Sequence, residues 1–297
     1  MRVRVLGSCA GGGLPQWNCG GDNSVRARRG DPDVPPRTQP GLAVSADGIR
    51  WSIANASPDL RGQLAAFPAL HPNPGTRDVP LDTVALTSAE LDHVLGLLVL
   101  REALSFRIVS THWVRDAILE HNAAWRLLQP IWSSVPLDAP VALDRHGALE
   151  LRFFPVAAKV PTYLRDVAKP HAETTTGLRI TERATGARLA FVPGLAALDS
   201  ATMAELAAAD VRFVDGTFFT AGELRSVKPG APDAAAMGHA PIAGADGSLA
   251  ALADLPGRTW YVHMNCTNPV LDAASAEHAR VRRAGVEIAD DGMEVEL

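Results

Sequence analysis

Leu86-Thr87-Ser88-Ala89-Glu90-Leu91-Asp92-His93 closes an apolar run, Asp82–Leu86, with four polar side chains inside six residues. An apolar strand that ends in such a cluster places chemistry at its carboxyl end, where open α/β sheets expose functional groups. If the backbone stays extended, Ser88, Glu90 and Asp92 share one side and Leu91 points away. A carboxylate beside an imidazole suits a divalent ion such as Fe(II), Mn(II) or Zn(II). The same string also suits a helix start, with Asp92 favoured by the helix dipole and His93 merely exposed.

Three further segments repeat the strand-then-polar pattern or place a histidine in a loop. Trp260–Val262 runs into His263, and Val211–Val214 runs into Asp215, while His239 stands between Gly238 and Ala240-Pro241. Each has a plainer reading: a hydrogen-bonded core histidine, a turn-capping aspartate and a solvated loop residue.

Working outward, strands are expected at Val3–Leu6, Leu42–Val44, Ile49–Ile53, Asp82–Leu86, Arg107–Ser110, Leu149–Phe154, Leu178–Thr181, Arg188–Phe191, Val211–Val214 and Thr259–Val262. Asp47-Gly48 signals a hairpin between the second and third of these. Helices are expected from Pro58 through Leu70 and at Val114–Leu119, Ala123–Leu128, Ser200–Ala209 and Ala273–Ala284. The Gly11-Gly12-Gly13 loop lacks the residues of a P-loop or a dinucleotide fingerprint. A proline-rich stretch, Pro32 to Pro40, reads as an exposed loop. Strands that cluster as well as alternate with helices favour an α/β chain of two mixed sheets flanked by helices, as one domain over 1–297.

Composition sets the outer bounds. The 297 residues carry 28 Lys and Arg against 33 Asp and Glu, a net charge of −5, which argues against a nucleic-acid binder dependent on phosphate neutralisation. Hydrophobic residues at 47% exclude wholesale disorder. The apolar run Val84–Leu100 is broken by Glu90, Asp92 and His93, so no membrane span is expected. MRVRVLGS lacks the apolar stretch of a secretory signal, and three cysteines imply no extracellular disulfide framework, so a cytoplasmic location is expected.

TSAELDHVLGL (87–97) stands where metallo-β-lactamase-fold proteins carry an HxHxDH signature after a strand, with Ser88 and Glu90 in place of the two leading histidines. The chain as a whole resembles the pyrroloquinoline quinone (PQQ) biosynthesis protein B family of that fold. The shared phrases run in order: GSCAGGGLPQWNC (7–19), PRTQ (36–39), NASPDLR (55–61), LDHVLGLLVLRE (91–102), AKVPTYL (158–164), ETTTGLRI (173–180), FVPG (191–194), FVDGTF (213–218), MGHAPI (237–242) and HMNCTNPVL (263–271).

This resemblance implies an αββα sandwich with a metal site at the sheet edges, held by Asp92, His93 and His263. Two histidines and one carboxylate form the donor set of many mononuclear Fe(II) oxygenase sites, and zinc fits the same set. The implied activity is an iron- and O2-dependent hydroxylation of the tyrosine ring in a cross-linked Glu–Tyr unit released from a peptide. Glu90 would be a further ligand or base, and Asp215 and His239 pocket groups beyond the ligands, with the bridging Asp of two-metal relatives falling near Leu195. Arg37, Arg61, Arg101 or Lys159 could bind substrate carboxylates. The expected partner is a small or dipeptide-like substrate, with no nucleic acid or membrane and with homodimerisation left open. Family members carry a Cys-x-Cys-x-x-Cys cluster for structural zinc. Here only Cys19 remains, with Gly21 and Ser24 in the other two places, which speaks against that zinc unless the fold brings Cys9 or Cys266 to Cys19.

Overall fold

Apolar strands of the first half build one sheet, which the C-terminal strand of the chain completes, and the rest of the second half builds another. The computed structural model describes residues 1–102, 105–157 and 159–297, so Ala158, which opens the AKVPTYL phrase, lies outside them. The first half runs β1 (Arg2–Gly7), α1 (Asp22–Arg28), β2 (Gly41–Ser45), β3 (Trp51–Ala54), α2 (Leu60–Ala65), β4 (Leu81–Ala85), α3 (Leu91–Val94), β5 (Arg107–Thr111), α4 (His112–His121) and β6 (Trp132–Val135). The second half runs β7 (Val141–Ala142), β8 (Leu149–Pro155), β9 (Thr176–Glu182), β10 (Arg188–Val192), α5 (Ser200–Ala207), β11 (Val211–Asp215), α6 (Ser248–Ala253), β12 (Arg258–Val262), α7 (Ala276–Arg283), β13 (Glu287–Ile288) and β14 (Glu294–Glu296).

The sheets have the orders β14-β1-β2-β3-β4-β5-β6 and β13-β12-β11-β10-β9-β8-β7. In both, hairpin-joined antiparallel strands give way to parallel strands joined by helical crossovers, which is the mixed pattern expected. Val3, Val5, Leu42 and Val44 of one sheet meet Leu149, Leu151, Phe153 and Leu178 of the other in a shared core. The opposite face of the first sheet packs beneath α2, α3 and α4, and that of the second beneath α5, α6 and α7. The result is the αββα sandwich.

Several local expectations are corrected. The Asp47-Gly48 turn forms, with Gly48 at φ +75° and the Asp47 carboxylate accepting from the N–H groups of Ile49 and Arg50. Strand β3 therefore starts only at Trp51, leaving Ile49 exposed. The helix from Pro58 breaks into α2 and a 3-10 turn at Pro68–Leu70, because Pro68 cannot continue the hydrogen-bond ladder. Ala123–Ile131 is 3-10 rather than α-helical and contains Pro130. The proline-rich stretch is not simply exposed: Val34, Arg37, Gln39 and Pro40 are buried, and Arg37 pairs with Asp290 and donates to the carbonyl of Ala289. Among the described residues, no helix is long and apolar enough to cross a membrane.

Two short bridges join the ends of the sheets: Cys9 pairs with Met264, and Ser88 pairs with Thr175. They bring the carboxyl ends of β4, β11 and β12 to one place.

Candidate metal centre

The local backbone explains why the donors converge. Asn55, at φ +63° just beyond β3, clamps the segment beyond β4 by accepting from Thr87 N–H (2.9 Å). The chain then turns into α3 rather than staying extended, so Asp92 and His93 sit on a helical turn and Leu91 faces solvent. Helix α3 docks on the Asn55-Ala56-Ser57 loop through Ala56 N–H to His93 O (2.7 Å) and Gly96 N–H to Ala56 O (2.8 Å). On the other sheet, His263 follows β12 at φ +61°, a conformation that non-glycine residues rarely adopt and that often marks a functional position.

Two overlapping donor groups result. Asp92, His93 and His263 form one and Asp215, His239 and His263 the other, with the donor atoms of each group lying within 4.8 Å of one another. His93 Nδ1 lies 2.8 Å from Ser88 Oγ and 3.2 Å from Thr87 Oγ1. Its Nε2 is buried with no hydrogen-bond partner among the described residues. A bare, buried imidazole nitrogen next to a carboxylate and a second imidazole is what a metal ligand looks like without its ion, so the residues fit a divalent metal. His263 Nε2 lies 3.1 Å from Asp92 Oδ2.

Thr217 organises the second group. Its hydroxyl donates to Asp215 Oδ1 (2.6 Å) and, having one hydrogen, accepts from His263 Nδ1–H (2.8 Å). That contact orients the imidazole with Nε2 toward Asp92. Asp215 Oδ2 receives Leu195 N–H (2.9 Å) and pairs with His239 Nδ1 (2.6 Å). The Asp215 carboxylate thus occupies the neighbourhood of Leu195, the place expected for the bridging aspartate of two-metal relatives.

Electrostatics separate the roles. Burial lowers the His93 pKa to about 4, which keeps its imidazole neutral and available as a ligand. Burial opposes ionisation of Asp92 and Asp215, yet the adjacent histidines hold both below the usual carboxylate range. Burial also opposes protonation of His263, but Asp92 outweighs it and the pKa rises. Glu90 moves the other way, raised first by burial and then by Asp92. Two carboxylates pushed in opposite directions suit different tasks, a ligand and a proton carrier.

A cleft of about 260 Å³ opens over these groups and is lined by Glu90, Asp92, His93, Lys159, His239 and His263, among others. Five of the six site residues expected from the sequence therefore face one space, and the sixth, Asp215, is buried behind them, bonded to His239 and Thr217. Of the four basic residues considered for carboxylates, only Lys159 lines this cleft. Arg37 is committed to Asp290, Arg101 lies beside Glu102 on the surface, and Arg61 is exposed on α2. Thr217 was not anticipated; its signal was the Asp-Gly-Thr string at the end of β11.

Just beyond this wall, Glu223 accepts from Phe219 N–H and Thr267 Oγ1, both at 2.6 Å, and burial pushes its pKa up to about 7. An unfolded glutamate titrates near about 4.3, so the folded state binds the extra proton between those values. Stability is accordingly expected to fall as pH rises from about 4.3 to 7 through this group, then level off. Urea midpoints of the native chain and of Glu223→Gln, measured across that window, should show the slope only in the former.

The fold and its two-sheet-edge donor cluster define a protein of the metallo-β-lactamase class, and residues 50–264 match the model of the beta-lactamase superfamily domain. Coenzyme PQQ synthesis protein B of Methylobacterium nodulans is 42% identical over the full length of both chains, and that of Xanthomonas axonopodis pv. citri is 41% identical over the same coverage. The crystal structure of Zn(2+)-bound PqqB from Methylobacterium extorquens superposes with a TM-score of 0.93, at 38% identity over all of both chains. A diphosphatase of the PhnP family, at 20% identity and a TM-score of 0.67 over 100% of this chain and 98% of its own, shares the fold. The chain belongs to the coenzyme PQQ synthesis protein B family.

Proposed function

We propose that this protein acts in PQQ biosynthesis as a metal- and O2-dependent hydroxylase of the tyrosine ring in a cross-linked Glu–Tyr precursor, with Fe(II) as the working metal. The observation that carries the reading is the Asp92, His93 and His263 set with its orphaned imidazole nitrogen, open to a cleft that Glu90, Lys159 and His239 also line. Ser88 and Glu90, in place of two signature histidines, weaken the first half of a two-metal hydrolase site. Metal held by Asp92, His93 and His263 supplies open coordination positions for O2 and the redox capacity for ring oxidation.

The chain's own groups do the rest. Lys159 offers a cation to a substrate carboxylate. Its ammonium is itself partly desolvated, with burial lowering its pKa, so the pairing gains from low screening. Glu90, inclined by burial to hold a proton, is positioned to take one from the phenol oxygen. Asp215 fixes His239 through Nδ1, and Phe218 stands edge-on to that ring, 6.0 Å between centroids. Both rings narrow the cleft over the donors.

The direct test is anaerobic reconstitution with Fe(II), followed by O2 uptake on adding a Glu–Tyr cross-linked diacid with a two-electron reductant such as ascorbate, which lets the second oxygen atom leave as water. Stoichiometric uptake with an oxygen atom in the product supports the hydroxylase. Tight diacid binding without metal or turnover would instead make the protein a carrier. Lys159→Met is expected to raise KM for the diacid about tenfold with little change in kcat, the loss of one charge-assisted hydrogen bond used in binding. An unchanged KM in steady-state assays would remove Lys159 from substrate recognition.

A further inference from the structure

The fold carries Cys266 and Cys19, 247 positions apart in sequence, to the lining of one cleft that Cys9, buried in the same core cluster, does not line. Cys19 and Cys266 line one cleft, and Cys19 N–H donates to the Gln16 carbonyl (3.1 Å). Cys266 Sγ also donates to Gln16 Oε1 (3.0 Å), and Gly21 N–H donates to Cys19 Sγ (3.4 Å). A side-chain carbon at Gly21 would lie 3.3 Å from Cys19 Sγ and 2.9 Å from Val227 Cγ1, so the fourth corner of this cluster is filled by backbone and an aliphatic wall. Two thiols, one hydroxyl and a glycine do not fit a structural zinc, which takes four side-chain ligands. The Ser24 hydroxyl is buried and has no hydrogen-bond partner among the described residues.

A second cleft of about 250 Å³, which shares Leu224 with the metal cleft, is lined by Gln16, Cys19, Lys228, Cys266 and Thr267 among others. The two thiols differ in readiness. Burial opposes the Cys19 thiolate, but the Gly21 amide, Ser24 and Cys266 lower its pKa, whereas burial and Cys19 push Cys266 up to about 12. One nucleophile beside one resolving thiol is the arrangement of a peroxide-oxidised pair.

We propose that Cys19 and Cys266 form an oxidisable dithiol, closed to a disulfide by hydroperoxides, at the corner where this chain has no structural-zinc site. The Cys19 thiolate attacks the peroxide and cleaves its O–O bond, leaving a sulfenic acid on Cys19 and releasing water (from H2O2) or an alcohol. The Cys266 thiol then displaces hydroxide from that sulfur, its proton leaving with it as a second water. Two thiols lose two electrons and two protons, and the peroxide gains them. The closed pair ties the Gln16–Cys19 loop to the segment that follows His263, so oxidation restrains one wall of the metal cleft.

The test treats the full-length reduced protein with hydrogen peroxide, alkylates it under denaturing conditions and maps the peptides by mass spectrometry. A linked Cys19–Cys266 peptide pair, reversed by dithiothreitol and with Cys9 still alkylated, is expected. In Cys266→Ala, a sulfenic acid trapped at Cys19 by dimedone is expected in place of the link. Cys19 and Cys266 both fully alkylated after peroxide would overturn the proposal. So would zinc that survives dialysis of the native chain, protects both thiols and is lost in Cys19→Ser.

Discussion

His93→Ala is expected to lose bound divalent metal and turnover together, with metal affinity falling at least ~100-fold, since even groups that only orient a ligand are worth 10–100-fold. Among the described residues the imidazole makes no hydrogen bond through Nε2, so truncation removes a donor to the metal without breaking a protein contact there. Its buried ring is neutral at physiological pH, so no charge is uncovered. Metal content after dialysis, measured beside the far-UV spectrum, separates ligand loss from unfolding. Ser88→Ala, which frees only Nδ1, should weaken binding by less than His93→Ala. Retention of a full equivalent by His93→Ala would move the centre to Asp215, His239 and His263, the second group that shares His263.

The second large effect concerns packing rather than ligation. Gly96→Ala is expected to destabilise the fold by about 3 kcal/mol, the upper range for overpacking a rigid site. A methyl at Gly96 would lie 2.2 Å from Ser57 O and 2.9 Å from Ala56 O, atoms of a loop that cannot rotate away. The same loop holds α3 through the Ala56–His93 and Gly96–Ala56 backbone bonds, so relief of the clash would drag His93 from its place. Urea unfolding should show a lower midpoint, and metal affinity should fall with it. Gly62→Ala on α2 is the control: nothing lies within 4 Å of the added carbon, and a neutral or slightly stabilising result is expected.

How much of this was legible beforehand depended on the kind of signal. Central strands such as β4, β8 and β11 are apolar and flanked by turn residues, so their limits were readable to within two residues. The edge strands β6, β7, β13 and β14 are only two to four residues long, too short for a periodic pattern. Helix α1 was hidden by the glycines before it. The candidate residues stood out because each follows a strand or a glycine, but their pairing could not be read. Asp215 with His239, or Thr217 with His263, is a contact made by sheet order, not by spacing. Likewise the burial of Arg37 follows from Asp290 and Ala289, which lie about 250 positions away.

The Cys9–Met264 and Ser88–Thr175 bridges join two sheets that each bring an incomplete site to the seam. Asp92 and His93 belong to one half of the chain, Asp215, His239 and His263 to the other. An ion shared across that seam is therefore a rivet as well as a reagent. Its binding free energy would add to the cohesion of the two sheets.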